Sequence, residues 1–239
     1  MTGVRRPART NVPGGVRVVG RLASGEAAAR VDLGHGADPV AALAAAGWAA
    51  ESPSAATMAA DGALELAYVV TEADGIPPRE GDMPAGSGDD AAETHQRVAA
   101  YAVVRSVRGV LLTQFTSLTA IPGTWGLPGG GLDAGEDPVD GVHREVWEES
   151  GQRIELAGLV TMQSQHWVGR APTGVLEDFH AVRLVYRATC ADPTDPVIHD
   201  VGGTTSDARW VGREEADRLE MTSSWRGLAD LAEAFSDAP

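Results

Sequence analysis

The chain has 239 residues, with 34 acidic side chains against 19 basic ones, every one of them an arginine, for a formal net charge of −15. That length allows one large domain or a domain with a sizeable extension, either able to bury an adequate core, and a content of 43% apolar and 22% charged residues is ordinary for a soluble globular protein. The acidity argues against a nucleic-acid polymer as partner, because that binding rests on cations that neutralise phosphates; it does not argue against a small phosphorylated substrate brought in with a metal ion. A single cysteine, Cys190, excludes an internal disulfide and points to a reducing cytoplasm. No apolar run approaches the roughly 20 residues that span a bilayer, so no membrane partner is expected.

Residues 1–15 hold Arg5, Arg6 and Arg9 with no apolar stretch behind them, which predicts a frayed tail rather than a signal peptide. Val16 to Val19 reads as a short strand, Pro39 to Gly47 as an alanine-rich helix with Asp38 as its N-cap, and Leu64 to Thr71 as a second strand. Residues 16–71 are therefore expected to form a small α+β module. Residues 72–94, rich in Pro, Gly and acid, read as a linker. Much of the net charge sits there: residues 26 to 94 carry 13 acids against Arg30 and Arg79 alone.

Residues 95–239 are expected to form the main domain, folding even without residues 1–94. Val98 to Val104 and Val110 to Phe115 are strand candidates around a Ser106-to-Gly109 turn, followed by a Gly/Pro loop and a helix over Pro138 to Ser150. Ile154 to Val168 and Val175 to Ala188 are two more strands joined by a turn at Arg170 to Gly174. Ala208 to Val211 is a last short strand, and helices at Glu214 to Leu219 and Trp225 to Phe235 close the chain. The irregular mixture predicts an α/β fold with helices on a mixed sheet.

The chemistry concentrates in the helix over 138–150. Pro138 suits its first turn and Gly151 a left-handed stop just beyond it. With Glu145 at 0°, Glu149 falls at about +40° and Glu148 at about −60° on the helical wheel, so three carboxylates share an arc of roughly 100°. Val139, Val142 and Val146 form the adjoining face, expected to be buried. Like charges at this spacing repel, and anions near a helix C-terminus oppose the macrodipole. Three oxygen ligands in that position make better sense as a site for a hard divalent cation, Mg2+ or Mn2+.

Gly130, Glu136, Arg144, Glu145, Val146, Glu148, Glu149 and Gly151 stand in register with the pattern G-x5-E-x7-R-E-U-x-E-E-x-G-U, in which U is apolar, and the segment resembles the Nudix hydrolase signature. Only Gln152 departs, at the final apolar position. With seven fixed identities at about 6% each, a chance match in a chain of this length is on the order of one in a million. The resemblance implies an α/β/α sandwich with a mixed sheet, preceded here by the small N-terminal extension. It implies that Glu145, Glu148 and Glu149 hold the ion together with a main-chain carbonyl of Gly129 or Gly130. It also implies that Arg144 and Glu136 pair to position the glutamates. The reaction implied is hydrolysis, by metal-activated water, of the diphosphate linkage in a nucleoside diphosphate derivative or a nucleoside triphosphate. Glu145 and Glu149 are the candidates for general base within the motif; Glu177, Asp178 and Asp200 are candidates outside it.

Substrate contacts are less legible. Trp167 is positioned to stack on a base or to fill the core, Arg170 and Arg183 to meet phosphate or to pair structurally, and Glu177 lies in the same stretch. His166 and His180 read as structural histidines. A small-molecule nucleotide is the expected partner, and a homodimer is compatible with the sequence. The alternative is a nucleotide-sensing Nudix regulatory module without turnover, which would be expected to have lost motif glutamates that are all present here; a Nudix-fold isomerase would be expected to carry a cysteine in the entry strand or loop.

Overall fold

Two β-sheets organise the residues described in the computed structural model, which are 9–73, 92–119, 121–170 and 174–236. In chain order the elements are β1 (Arg9–Thr10), β2 (Val16–Arg21), β3 (Ala27–Asp32), α1 (Pro39–Ala45), β4 (Trp48–Met58), β5 (Leu64–Glu72), β6 (Glu93–Ser106), β7 (Gly109–Phe115), β8 (Trp125–Gly126), β9 (Gly129–Gly131), α2 (Pro138–Ser150), β10 (Glu155–Arg170), β11 (Leu176–Thr189), β12 (Thr205–Val211), α3 (Arg213–Ala216), α4 (Ser223–Arg226) and α5 (Ala229–Ser236). The larger sheet runs β10-β11-β6-β7-β12, with β1 and β9 on β6 and β8 on β7; the smaller runs β3-β2-β5-β4. Parallel β1–β6 and antiparallel β6–β7 pairing make the larger sheet mixed, so the class is α/β as expected.

The chain divides into two compact units. One comprises Met1–Ala99, Gly131–Pro138 and Thr161–Leu184; the other comprises Ala100–Gly130, Val139–Val160 and Val185–Pro239.

In the first unit, β2 and β5 pair in parallel from Val16↔Leu64 to Arg21↔Val69, and the apolar positions of both strands are buried except Val69, which is half-buried. Helix α1 begins as its sequence dictates: Asp38 accepts from the Ala41 amide at 2.9 Å, and Pro39 stands in the first turn. Its Leu43 is fully buried, which contributes about 2 kcal/mol of transfer free energy. Strands β3 and β4 were not foreseen. Their Ala- and Ser-rich sequences carry no apolar alternation, and Pro53 argues against a strand; it is tolerated because β4 is the sheet's edge and its register shifts between Pro53 and Ala55.

The expected frayed tail differs from the structure over residues 9–15, while residues 1–8 lie outside the described residues. Asn11 donates to the carbonyls of Val98 (2.7 Å) and Leu132 (2.9 Å) and accepts from the Val98 amide (2.9 Å), and Val12 is buried. This segment thereby completes the backbone hydrogen bonding of Val98, a tie that the expectation of an independently folding 95–239 core omitted. Of the expected linker, residues 74–91 lie outside the described residues, as do residues 171–173 of the β10–β11 turn.

In the second unit, β12 pairs antiparallel with β7, and Trp125, Leu127, Val185, Trp225 and Leu231 belong to one buried cluster. Helix α2 spans Pro138–Ser150 as read, and Gly151 adopts φ +68° just past its end. Val142 and Val146 are fully buried, whereas Val139, in the first turn, is 39% exposed. The C-terminal helices are shorter than expected: α3 stops at Ala216, and the helix expected over 225–235 is divided between α4, ending at Arg226, and α5, starting at Ala229, with Gly227 capping the first.

Candidate functional site

The site assembles on the C-terminal half of α2, within the second unit. The last carbonyls of a helix lack partners of their own, and here the 197–200 loop supplies them. The His199 and Asp200 amides donate to the Glu148 carbonyl at 2.7 and 3.1 Å, and the Val197 amide donates to the Ser150 carbonyl at 2.9 Å. Trp147 reinforces this tie, stacking on His199 with ring centroids 4.7 Å apart while Arg153 lies over the Trp147 ring at 4.9 Å.

Gln152, at the position where the motif expects an aliphatic residue, performs a related task. It is 2% exposed, and its amide is used on both sides: Nε2 donates to the Ser150 carbonyl and to Thr194 Oγ1, both at 3.0 Å, while Oε1 accepts from the Thr194 amide at 3.0 Å. Cys190, buried just past β11, lies with its Sγ 3.9 Å from the same Oε1. A polar residue is therefore accommodated in a core position by hydrogen bonds, not by packing.

Three carboxylates occupy the exposed-to-buried gradient of α2. The Arg144 guanidinium donates from one nitrogen to Glu145 Oε1 and Glu148 Oε2, both at 3.0 Å. Glu145 faces Gly130 so closely that a Cβ on Gly130 would stand 2.6 Å from its Oε2. Glu149 is 4% exposed; its Oε2 accepts from the Gly129 amide at 2.9 Å and its Oε1 from the Thr205 hydroxyl. Burial pushes the Glu149 carboxyl up to about 7, against the hydrogen bonds from Thr205 and Gly129 and with the support of nearby Glu145 and Asp200. Oxygen donors of graded exposure, drawn together around a glycine cradle that a side chain would fill, fit a hard divalent cation.

Gly130, Arg144, Glu145, Glu148 and Glu149 are thus brought together as the motif requires. Thr205 was missed: it opens β12 after a Gly-rich loop, and nothing in its sequence surroundings marks it. Glu136 lies in the first unit, where its Oε2 accepts from the Asp133 amide at 2.8 Å. Trp167, Arg170, Glu177, Asp178 and Arg183 also belong to the first unit, whereas Asp200 lies in the second, beside α2. Trp167 is 44% exposed on β10 and stacks on Phe179 at 4.7 Å, and His95 stacks on Phe179 in turn at 6.2 Å. Arg183 donates to Gln165 Oε1 at 2.6 Å, Arg170 to the Gly174 carbonyl at 2.9 Å, and Glu177 lies 3.8 Å from His95. Both arginines therefore have structural engagements.

Residues 95–231 match the family model described as NUDIX domain. A MutT-like protein of Streptomyces ambofaciens is 51% identical over 55 residues, 21% of this chain and 36% of that protein, so the match spans about a third of that relative. A nucleoside triphosphatase NudI of Enterobacter sp. (strain 638) is 25% identical over 134 residues, 55% of this chain and 92% of the relative. Among solved structures, the MutT protein from Methanosarcina mazei Go1 is similar at 22% identity and a TM-score of 0.45, covering 59% of this chain and 93% of that one.

Proposed function

The chain belongs to the NUDIX domain family, and we propose that it is a pyrophosphohydrolase that cleaves the diphosphate linkage of a nucleoside triphosphate or nucleoside diphosphate derivative with Mg2+ or Mn2+. The observation that carries this reading is the convergence on α2: Glu145 and Glu148 gathered by one arginine nitrogen, Glu145 set against the Gly130 cradle, and Glu149 buried behind them.

Glu145, Glu148 and Glu149, with the main chain at Gly130, would hold the cation. When bound, the ion would neutralise charge on the bridging and leaving phosphate oxygens and ease deprotonation of the attacking water. The protein's own contribution is positional. Arg144 keeps two carboxylates from splaying apart, while the Gly129 amide and the Thr205 hydroxyl hold Glu149 in one orientation. Buried and held in one orientation by two donors, Glu149 is the favoured general base, with Glu145 as the alternative. The exposed face of Trp167 is available to stack on a nucleobase; Arg170, Glu177 and Arg183 are weaker substrate candidates because each already has a neighbour.

Among the described residues no helix is long and apolar enough to cross a membrane. The buried free thiol of Cys190 fits a cytoplasmic setting. The decisive experiment screens nucleoside triphosphates first, as the NudI relative's name suggests, then ADP-ribose, dinucleoside polyphosphates and sugar nucleotides, each with Mg2+ and with Mn2+. Metal-dependent turnover of at least one, reduced by orders of magnitude in Glu149→Gln at unchanged circular dichroism, is expected. Tight nucleotide binding with no turnover of any would replace this reading with the sensor alternative.

A further inference from the structure

We propose that His35, His166 and Asp178 form a second metal site, of the two-imidazole, one-carboxylate type, that binds Zn2+. It shares no residue with the α2 carboxylates and goes beyond the hydrolase reading. All three residues belong to the first unit. His35 lies on the turn before α1, His166 on β10 and Asp178 on β11, and their candidate ligand atoms lie within 4.8 Å of one another. Asp178 Oδ1 is the shared point, 2.8 Å from His35 Nε2 and 2.5 Å from His166 Nε2.

Three features separate this cluster from an ordinary buried hydrogen-bond group. One carboxylate oxygen serves two imidazoles that converge on it through the same ring atom, so three candidate ligand atoms already face a common point. The side chains retain 22, 17 and 28% exposure for His35, His166 and Asp178, which leaves an ion a route in. The surroundings are also braced. Gln96 Nε2 donates to His180 Nδ1 at 3.1 Å, His180 Nε2 donates to Ser164 Oγ at 2.9 Å, and Ser164 donates to the Ala37 carbonyl at 3.0 Å. This relay fixes the turn that carries His35 to the strand that carries His166. Burial, then the neighbouring His35 and His166, push His180 down to about 4, in keeping with its role as a neutral brace.

Two nitrogens, one oxygen and an open fourth position suit Zn2+ better than Mg2+, which prefers an all-oxygen octahedral shell. Zinc bonds of about 2.0–2.1 Å place tetrahedral ligands roughly 3.3 Å apart. From the present 2.8 and 2.5 Å, the separations of His35 and His166 from Asp178 would open by about 0.5 and 0.8 Å, the first of them at the turn of His35 and Gly36 (φ +76°). The bound ion pins that turn to β10 and β11 and leaves its fourth position to water or a small anionic ligand.

The test uses untagged full-length protein stripped with chelator and dialysed against Zn2+, with bound metal counted by mass spectrometry. Wild type and Glu148→Gln are expected to retain one Zn2+ that Asp178→Asn and His35→Gln both lose, and Zn2+ is expected to raise the wild-type Tm by several degrees but not that of the two variants. With Co2+, the wild type is expected to show visible d–d bands of a low-coordinate nitrogen and oxygen site, and Glu148→Gln to keep them. Equal metal content in wild type and His35→Gln, or a Co2+ spectrum of purely octahedral oxygen character, overturns the proposal. If Asp178→Asn fails to fold, His35→Gln and the wild-type Co2+ spectrum decide. Loss of the Zn2+ site leaves the Mg2+-dependent hydrolysis assay as a separate measurement, so either reading can fail alone.

Discussion

Thr205, the first residue of β12, donates its hydroxyl to Glu149 Oε1, so that a carboxylate only 4% exposed is held by a side-chain donor as well as by the Gly129 amide. A hydrogen bond to the ionised form favours that form, so this contact opposes the burial that pushes Glu149 up to about 7. Thr205→Val removes it at nearly constant volume and is expected to raise the Glu149 pKa further. At neutral pH more of the enzyme then carries a protonated Glu149. Turnover should fall about fivefold near pH 7 and recover at more alkaline pH, moving the acidic limb of the kcat/KM profile upward by about one unit. Thr205→Ser should leave the limb in place. An acidic limb that Thr205→Val does not move would show that Glu149 is not the group titrating in the profile.

Gly130 and Gly129 separate chemistry from folding. The three atoms nearest a Cβ on Gly130 all belong to the carboxylate of Glu145, at 2.6 to 2.7 Å, and that carboxylate is the end of a flexible side chain. Gly130→Ala is therefore expected to cost less than about 1 kcal/mol of stability while displacing Glu145 and lowering metal-dependent turnover at least tenfold. At Gly129 the backbone itself objects: φ is +138°, and a Cβ would stand 2.2 Å from the Ala100 carbonyl oxygen. Gly129→Ala should destabilise the protein by about 3 kcal/mol or more. Urea denaturation beside a metal titration of activity distinguishes the two. Equal stability losses in both variants would count against the cradle.

Restoring the motif's usual aliphatic residue should harm this protein. Gln152→Leu fills the same buried position but strips the partner from the Thr194 amide and from Thr194 Oγ1. Thr194 is itself exposed, so losing these part-buried hydrogen bonds costs about 1 kcal/mol, which a leucine in a site shaped for an amide does not regain. Expected are a Tm lower by several degrees and faster amide exchange at Thr194. A more stable Gln152→Leu variant would show that the amide contacts carry little.

How far the sequence could be read follows from where the physical signals lie. The α2 helix was legible to the residue because a proline, a glycine stop, a buried valine stripe and a carboxylate arc all act within one element, and motif spacing then identified the cluster. Strands β3 and β4 were not, since alanine and serine give no periodicity and Pro53 is tolerated only because a neighbouring bulge and an edge position accommodate it. The order of Asn11 was invisible for a different reason: its partners, Val98 and Leu132, are distant in sequence. Thr205 and His35 share that difficulty, because each becomes informative only when another segment reaches it.

His180 gives the fold a pH dependence that can be measured. It is fully buried, and desolvation foremost, with His35 and His166 nearby, pushes it down to about 4. In the unfolded chain a histidine titrates near 6.5. Between these values the unfolded state binds more protons than the folded one, so stability rises with pH. The contribution is complete above about pH 6.5, falls as pH is lowered towards 4 and is exhausted below it; it amounts to about 3 kcal/mol. Asp178 acts in a separate window. Although desolvation would raise it, hydrogen bonds from His166 and His35 hold it below the ordinary carboxylate value, so its contribution is lost only at more acid pH. In metal-free buffer, the urea midpoint of the wild type should therefore decline between pH 6.5 and 4, and His180→Asn should flatten that decline even where it lowers the midpoint at pH 7. An unchanged slope in His180→Asn would assign the dependence to other groups and remove the neutral brace from the account of the His35 turn.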